Sequence, residues 1–258
     1  LDRNHRAMAM RPHVLVVGGT DSSGGAGVTR DVATLAAFGV AACPAITAVT
    51  AQTHRDVRHV EAMSADLIRR QMDAASEANP IGVVKIGMLG HSEAIRAVAS
   101  FLEDHRDIPA VLDPVLVSSS GGRLTDEAAI DDLRDCLMPL CNLVTPNLPE
   151  LACLLGEPEA KSASAAERQG RAFLKQGCRA VLVKGGHAVG GAATDVLFRH
   201  DSKPVRFSAP RLNGSLRGTG CMLASAIAAG LASGESLENS IRSAKAYVFD
   251  RIAEASTM

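Results

Sequence analysis

Short, largely apolar runs alternate with helical stretches along almost the whole chain, and this alternation leaves few folds open. The runs cover 13–19 (HVLVVGG), 41–49, 83–86, 110–112, 142–144 and 180–183. Continuous apolarity, without a polar residue at every second place, marks strands covered on both faces, and parallel strands are of that kind. Between them the spacing predicts helices: one ending near Phe38 and closed by Gly39, one over 64–79 capped by Ser64, then 92–104, 126–137, 150–155, 165–176 and 237–252. Two further extended runs, 195–198 and 205–208, read as a hairpin. Strand and helix in repeated succession predict an α/β fold: a mostly parallel, doubly wound sheet with helices on both faces. At 258 residues, with neither linker nor internal repeat, a single domain over 12–258 is expected. Residues 1–11 lack an apolar period and are set apart as an N-terminal arm, with Met8 or Met10 as possible native starts.

Composition removes several functions. A net charge of -1 leaves no basic footprint for nucleic acid or an anionic membrane, and aromatics at 3% offer few platforms for stacked bases. No run is long enough to span a bilayer and no secretory signal is evident, so a cytoplasmic protein is expected. The six cysteines form no CxxC pair, and five read as small buried hydrophobes in a reducing compartment. The eight histidines show no HExxH or comparable metal spacing.

Open α/β sheets bind ligands at the carboxyl ends of their strands, so the residues just past each run carry the most information. They are Asp21, Gln52, Met88, Asp113, Asn147 with Glu150, and Lys184. The glycine-rich loop after the first run fails as a Walker A motif, because Gly25-Ala26 stand where Lys and Ser/Thr are required. It fails as a dinucleotide fingerprint because Arg30 takes the last glycine position. Gln52 can present an amide donor and a carbonyl acceptor to a nitrogen heterocycle, or can be an exposed loop residue. A second glycine turn, Gly218-Thr219-Gly220, leads into a helix of small and apolar residues with Cys221 in its first turn. The first N–H groups of a helix lack helical partners and lie at the positive end of its dipole, which suits a phosphate or a phosphoryl group in transit.

Phosphoryl transfer asks mainly for positioning and charge compensation, and the exits supply both. Asp113, Asn147 and Glu150 suit magnesium, which keeps much of its water. Lys184 offers a point charge to phosphates, and the N–H groups of Gly218, Thr219, Gly220 and Cys221 offer donors. A helix N-terminus and a nearby lysine can lower a thiol from about 8.5 toward roughly 3.5–7.5, so Cys221 is expected either as a thiolate handling the acceptor's proton or as a packed structural thiol.

The segments GGTDSSGGAG, AVTAQT, KIGML, LDPVLV, VTPNLPE, VLVKGGH and RGTGC, in that order from Val14 almost to the end, resemble the hydroxymethylpyrimidine/phosphomethylpyrimidine kinases of thiamine biosynthesis, within the ribokinase-like group. The resemblance implies a three-layer α/β/α sandwich, ATP and Mg²⁺, and transfer of the γ-phosphoryl group to 4-amino-5-hydroxymethyl-2-methylpyrimidine and then to its monophosphate. It implies a pyrimidine site among Gly19, Asp21, Ala26, Gln52, Met88 and Val115, with the Met thioether and aliphatics clasping the ring. On the nucleotide side it implies Lys184, Asn147, Glu150 and Asp31; by sequence alone Asp31 could equally be a helix surface charge. It places Cys221 where many ribokinase relatives have an aspartate base, and it implies a homodimer. The chain departs from the pattern at Ser22 for the usual Pro, at Ser119 for a frequent Lys, and at Ser215-Leu216-Arg217 for Asn-Thr-His. Arg217 is expected to give a bidentate phosphate contact on the nucleotide side or to lie exposed on a loop. Rival readings are a pyridoxal kinase of the same branch, a non-catalytic vitamin-binding protein that keeps the pocket, and, weakened by the missing fingerprint, a dinucleotide oxidoreductase.

Overall fold

The computed structural model describes residues 11–116, 127–185, 191–212, 214 and 216–256. In chain order the first elements are β1 (His13–Gly18), α1 (Gly27–Ala37), β2 (Ala41–Ile46), β3 (Ala48–Gln52), β4 (Val57–Ala62), α2 (Ala65–Ala78), β5 (Ile81–Ile86), α3 (Ser92–Asp104) and β6 (Ala110–Leu112). There follow α4 (Glu127–Asp132), β7 (Leu143–Val144), α5 (Leu148–Leu155), α6 (Ala163–Leu174), β8 (Ala180–Val183), β9 (Ala192–Arg199), β10 (Val205–Pro210), α7 (Thr219–Ala232) and α8 (Leu237–Ala255).

The main sheet has the order β10-β9-β8-β7-β6-β5-β1-β2. The pairings from β8 to β2 are all parallel, and β9 and β10 join antiparallel at one edge as the expected hairpin. Side chains of a strand alternate between faces. Leu15, Val17, Val84, Ile86, Leu112 and Val144 enter one core with α2 to α6, while Val14, Val16, Val83, Val111, Leu143 and Leu182 enter another with α1, α7 and α8. Two cores on opposite faces make the three layers. Helix α7 is buried continuously from Met222 to Gly230, which explains its lack of a polar face. Each fully buried Leu or Ile in these layers contributes roughly 1.5–3 kcal/mol. Strands succeed one another outward from β1 in two directions, so the chain switches direction between β1 and β5, where the crevice for a ligand opens.

Two expectations change. The run over 41–49 is not one strand: β2 stops at Ile46, and β3 pairs with β4 in a separate antiparallel ribbon. Thr47 makes the break, donating its N–H to Gly18 O at 3.0 Å and its hydroxyl to Met88 O at 2.6 Å, which ties the chain to the carboxyl edge before it leaves the sheet. Strand β4 (VRHVEA) is almost wholly exposed and has no apolar run to announce it. The helix expected over 126–137 becomes π-helical over Leu133–Leu137, with residue 126 outside the described residues.

Arg11, assigned to the arm, donates to Gly39 O at 2.8 Å; residues 1–10 lie outside the described residues. No helix among the described residues is long and apolar enough to cross a membrane.

Candidate active site

The strand exits converge. At the end of β8, Lys184 Nζ donates to Asp113 Oδ1, just past β6, at 2.7 Å and lies 3.7 Å from Glu150 Oε2. The first turn of α7 lies against this group: a Cβ placed on Gly220 would stand 3.2 Å from Asp113 Oδ2 and 3.3 Å from Lys184 Nζ. Lys184, Glu150 and Gly220, scattered through the sequence, thus share one edge. Burial opposes the charge on Lys184, but Asp113 and Glu150 outweigh it and hold the ammonium above its usual range. Burial pushes the Glu150 carboxyl up, with Lys184 pulling it down.

Glu150 is held by its own helix start. Asn147 Oδ1 accepts the Glu150 N–H and Glu150 Oε2 accepts the Asn147 N–H, both at 2.8 Å, a reciprocal capping box. The side-chain oxygen of Asn147, a residue expected on the magnesium and nucleotide side, serves the cap and fixes Glu150. Among the described residues no group of three or more His, Cys, Asp or Glu could hold a metal alone. Asp113 and Glu150 do fit magnesium, which commonly takes one or two carboxylates together with substrate phosphates and water.

Behind this edge lies a second charged group that the sequence reading left unassigned. Lys85, completely buried in β5, donates to Asp31 Oδ2 at 2.8 Å, and Ser225 of α7 donates to Asp31 Oδ1 at 2.8 Å. The signal was a lysine inside the apolar strand IGVVKI; the two-residue period puts Lys85 on the face of Val83, toward α1 and α7. Asp31 is buried rather than a surface charge, and each of its oxygens has an internal partner. Burial raises the Asp31 carboxyl, and Lys85 opposes it. Burial likewise works against the Lys85 charge, but Asp31 outweighs it and keeps the ammonium above its ordinary range.

Cys221 lies between the two groups, and the thiolate expected from the helix terminus is not supported. Burial, followed by the negative charge of Asp31, pushes its thiol up to about 11, against the opposing pull of Lys85. Both nearby lysines are already bonded to carboxylates, so the charge left facing the sulfur is largely acidic.

The residues expected to hold the pyrimidine lie at or just past the ends of β1, β3, β5 and β6. Met88 lies over Gly19, whose Cβ, if present, would fall 2.4 Å from the Met88 methyl. Gln52 is fixed through its backbone, its N–H donating to Ser22 Oγ at 2.8 Å while the Ser22 hydroxyl donates to Gln52 O at 2.9 Å. Ser22, a departure from the family pattern, thus ties two loops together. Ala26 caps α1, and the Val115 N–H donates to Asp113 O at 2.8 Å. Asp21 accepts from Ser23 N–H at 2.9 Å and Ser23 Oγ at 2.6 Å, and its second oxygen accepts from Arg217 Nη2 at 3.3 Å. Arg217, expected on the nucleotide side or exposed on a loop, faces the loops after β1 and β3.

Gly218 has φ 74° and ψ 17°, a left-handed conformation that favours glycine, and a Cβ there would lie 2.4 Å from Gly25 O. No side chain caps α7, and Met222 N–H, donating to Gly218 O at 2.9 Å, begins its helical bonding. The N–H groups of Thr219, Gly220 and Cys221 precede that bond, at the edge beside Lys184. Ser119, Ser215, Gly186 and His187 lie outside the described residues.

The model of the family described as phosphomethylpyrimidine kinase matches residues 21–258. The hydroxymethylpyrimidine/phosphomethylpyrimidine kinase of Salmonella typhimurium is 40% identical over 249 residues, covering 96% of this chain and 93% of that protein. The solved phosphomethylpyrimidine kinase of Clostridium difficile superposes with a TM-score of 0.82 at 33% identity, over 94% of this chain and 100% of that one. Pyridoxal kinase from Staphylococcus aureus in complex with ADP gives a TM-score of 0.85 at 26% identity, over 94% of this chain and 88% of that one. Together with the convergent strand exits and the uncapped glycine turn, these likenesses place the chain in the phosphomethylpyrimidine kinase family.

Proposed function

We propose that this chain transfers the γ-phosphoryl group of ATP to the hydroxymethyl oxygen of 4-amino-5-hydroxymethyl-2-methylpyrimidine, and then a second such group to the phosphate of the monophosphate formed. The observation that carries the reading is the meeting of Lys184, Asp113 and Gly220 at one sheet edge. There a cation and a row of N–H donors without partners among the described residues face the position of a migrating phosphoryl group.

The acceptor oxygen forms the new bond to phosphorus as the bond to the departing ADP oxygen breaks. Lys184 offsets charge on the phosphates, and Thr219, Gly220 and Cys221 donate N–H groups to the transferred oxygens. Cys221, held as a thiol, orients the acceptor oxygen, and the hydroxyl proton ends on the transferred phosphate. A largely dissociative transition state asks little base strength of the protein, so a thiol suffices at this position. Asp113 and Glu150 would hold magnesium, which when bound neutralises charge on the β- and γ-phosphates. Gln52 pairs with the ring nitrogens and exocyclic amine, and Met88 packs on the ring. The chain acts as a cytoplasmic homodimer, which sedimentation of the purified protein would test.

The test is ADP release with Mg·ATP and each acceptor separately: the pyrimidine alcohol, its monophosphate and pyridoxal. Turnover of the first two is expected. Turnover of pyridoxal alone would move the assignment to the second reading, which the likeness to pyridoxal kinase favours. Tight binding of the alcohol without ADP release would make the chain a vitamin-binding protein.

A further inference from the structure

Arg217 combines three properties that a purely structural arginine does not need. Its Nη1 group, with two hydrogens, faces three acceptors: Ser23 Oγ at 3.2 Å, Thr53 O at 3.2 Å and His54 Nδ1 at 3.3 Å. Its ion pair with Asp21 is 3.3 Å long, beyond the roughly 2.7–2.9 Å of a strong charge-assisted bond. Its Nε is buried without a hydrogen-bond partner among the described residues. The fork is thus held loosely, with one donor unused. The side chain keeps 19% of its surface exposed, against 3% for Asp21.

The loops that Arg217 touches do not depend on it for closure. Ser22 already joins the loop after β1 to the end of β3 through two bonds with the Gln52 backbone. Arg217 directly precedes Gly218, so its backbone opens the anion-binding turn while its guanidinium reaches back to Asp21. A phosphate on the acceptor has to lie between the pyrimidine site and that turn, since it is itself the nucleophile of the second transfer. On the function proposed above, the γ-phosphate would come instead against Lys184, which pairs with Asp113 across from Gly220.

We propose that Arg217 recognises the phosphate of an already phosphorylated acceptor, and so sets the preference of this chain between the pyrimidine alcohol and its monophosphate. The inference rests on the reading of the site as a two-step pyrimidine kinase. With the alcohol bound, Arg217 stays on Asp21 and the loop acceptors. With the monophosphate bound, Nε–H and the parallel hydrogen of Nη2 turn to the phosphate in the two-pronged manner peculiar to arginine. The second hydrogen of Nη2 keeps Asp21, so that carboxylate does not face the phosphate unscreened.

Steady-state kinetics at saturating Mg·ATP test this with wild type, Arg217→Gln and Arg217→Lys on the two acceptors. For Arg217→Gln, kcat/KM with the monophosphate should fall about tenfold to a hundredfold further than with the alcohol, mainly through KM. Arg217→Lys keeps the charge but loses the fork and should recover only part of the difference, which also provides a folded variant should Gln prove unstable. An equal loss with both acceptors would overturn the proposal and leave Arg217 as a loop support. A loss seen only in KM for ATP would overturn it in favour of the nucleotide side. Wild type that phosphorylates the alcohol alone would also overturn it, whereas wild type inactive on both acceptors would bring down the functional reading beneath it.

Discussion

Lys85, in β5, and Lys184, just past the end of β8, belong to one parallel run of the sheet with β6 and β7 between them; both are paired with acid, yet their surroundings suit opposite tasks. Lys85 has no exposed surface and a single carboxylate, Asp31, whose other oxygen is closed off by Ser225. Lys184 keeps 14% of its side-chain surface, stands between two carboxylates and borders the uncapped turn at Gly220. The first arrangement is complete within the protein and joins β5, α1 and α7. The second has more negative charge than its cation balances and an open side, so a metal-bound polyphosphate can finish it. A buried ion pair by itself says little about function; whether its partners are exhausted says more.

The sharpest way to break this contrast is to remove Lys184. Lys184→Ala should lower kcat/KM by about 10²–10³, the scale seen when one donor to a developing oxyanion is lost, while the circular dichroism spectrum stays unchanged. Unaltered kinetics would withdraw Lys184 from the site. Lys85→Met should act on stability, because Asp31 is left buried without compensation at a cost of about 3–5 kcal/mol. In a chain of this size that lowers the melting temperature by roughly 10 °C, and Lys85→Met/Asp31→Asn should restore most of it. If the double variant melts no higher than the single one, the pair is not the structural tie described.

Cys221, between the two groups, sharpens the comparison. Cys221→Ser should slow turnover by about tenfold with the fold retained, less than the 10²–10⁴ expected for loss of a general base. Wild-type rates would return it to a packing role. The smallest effect concerns its titration. A thiol raised to about 11 from 9.0 adds stability below its unfolded value and loses it as pH climbs through 11. Alkylation of the Cys221 peptide, followed by mass spectrometry, should therefore lag that of exposed Cys153 at neutral pH and rise only in strong alkali. A half-rise near neutrality would mean that the lysines are less committed than their contacts imply.

The sheet and most of its exits were legible because parallel strands must be apolar on both faces and must release the chain at one edge. Asp113, Glu150 and Lys184 could be placed together on that rule alone. The rest depended on contacts between segments distant in sequence. Lys85 interrupts an apolar strand, but nothing local says that Asp31, 54 positions away, awaits it. The cap from Asn147 to Glu150 is legible in its three-residue spacing, yet the same two residue types suit a ligand equally well, and nothing local decides between the purposes. The direction of Arg217 depended on loops more than 160 positions earlier. Strand β4 left no trace because an exposed ribbon needs no apolar pattern.

One consequence follows from the clearance between Gly218 and Gly25, where a single added methyl would fall 2.4 Å from a carbonyl oxygen. The loop after β1 and the turn that opens α7 are in effect two leaves of one hinge-less seam, without slack between them. Whatever displaces one leaf is felt by the other at once, so the two move as a single mechanical piece.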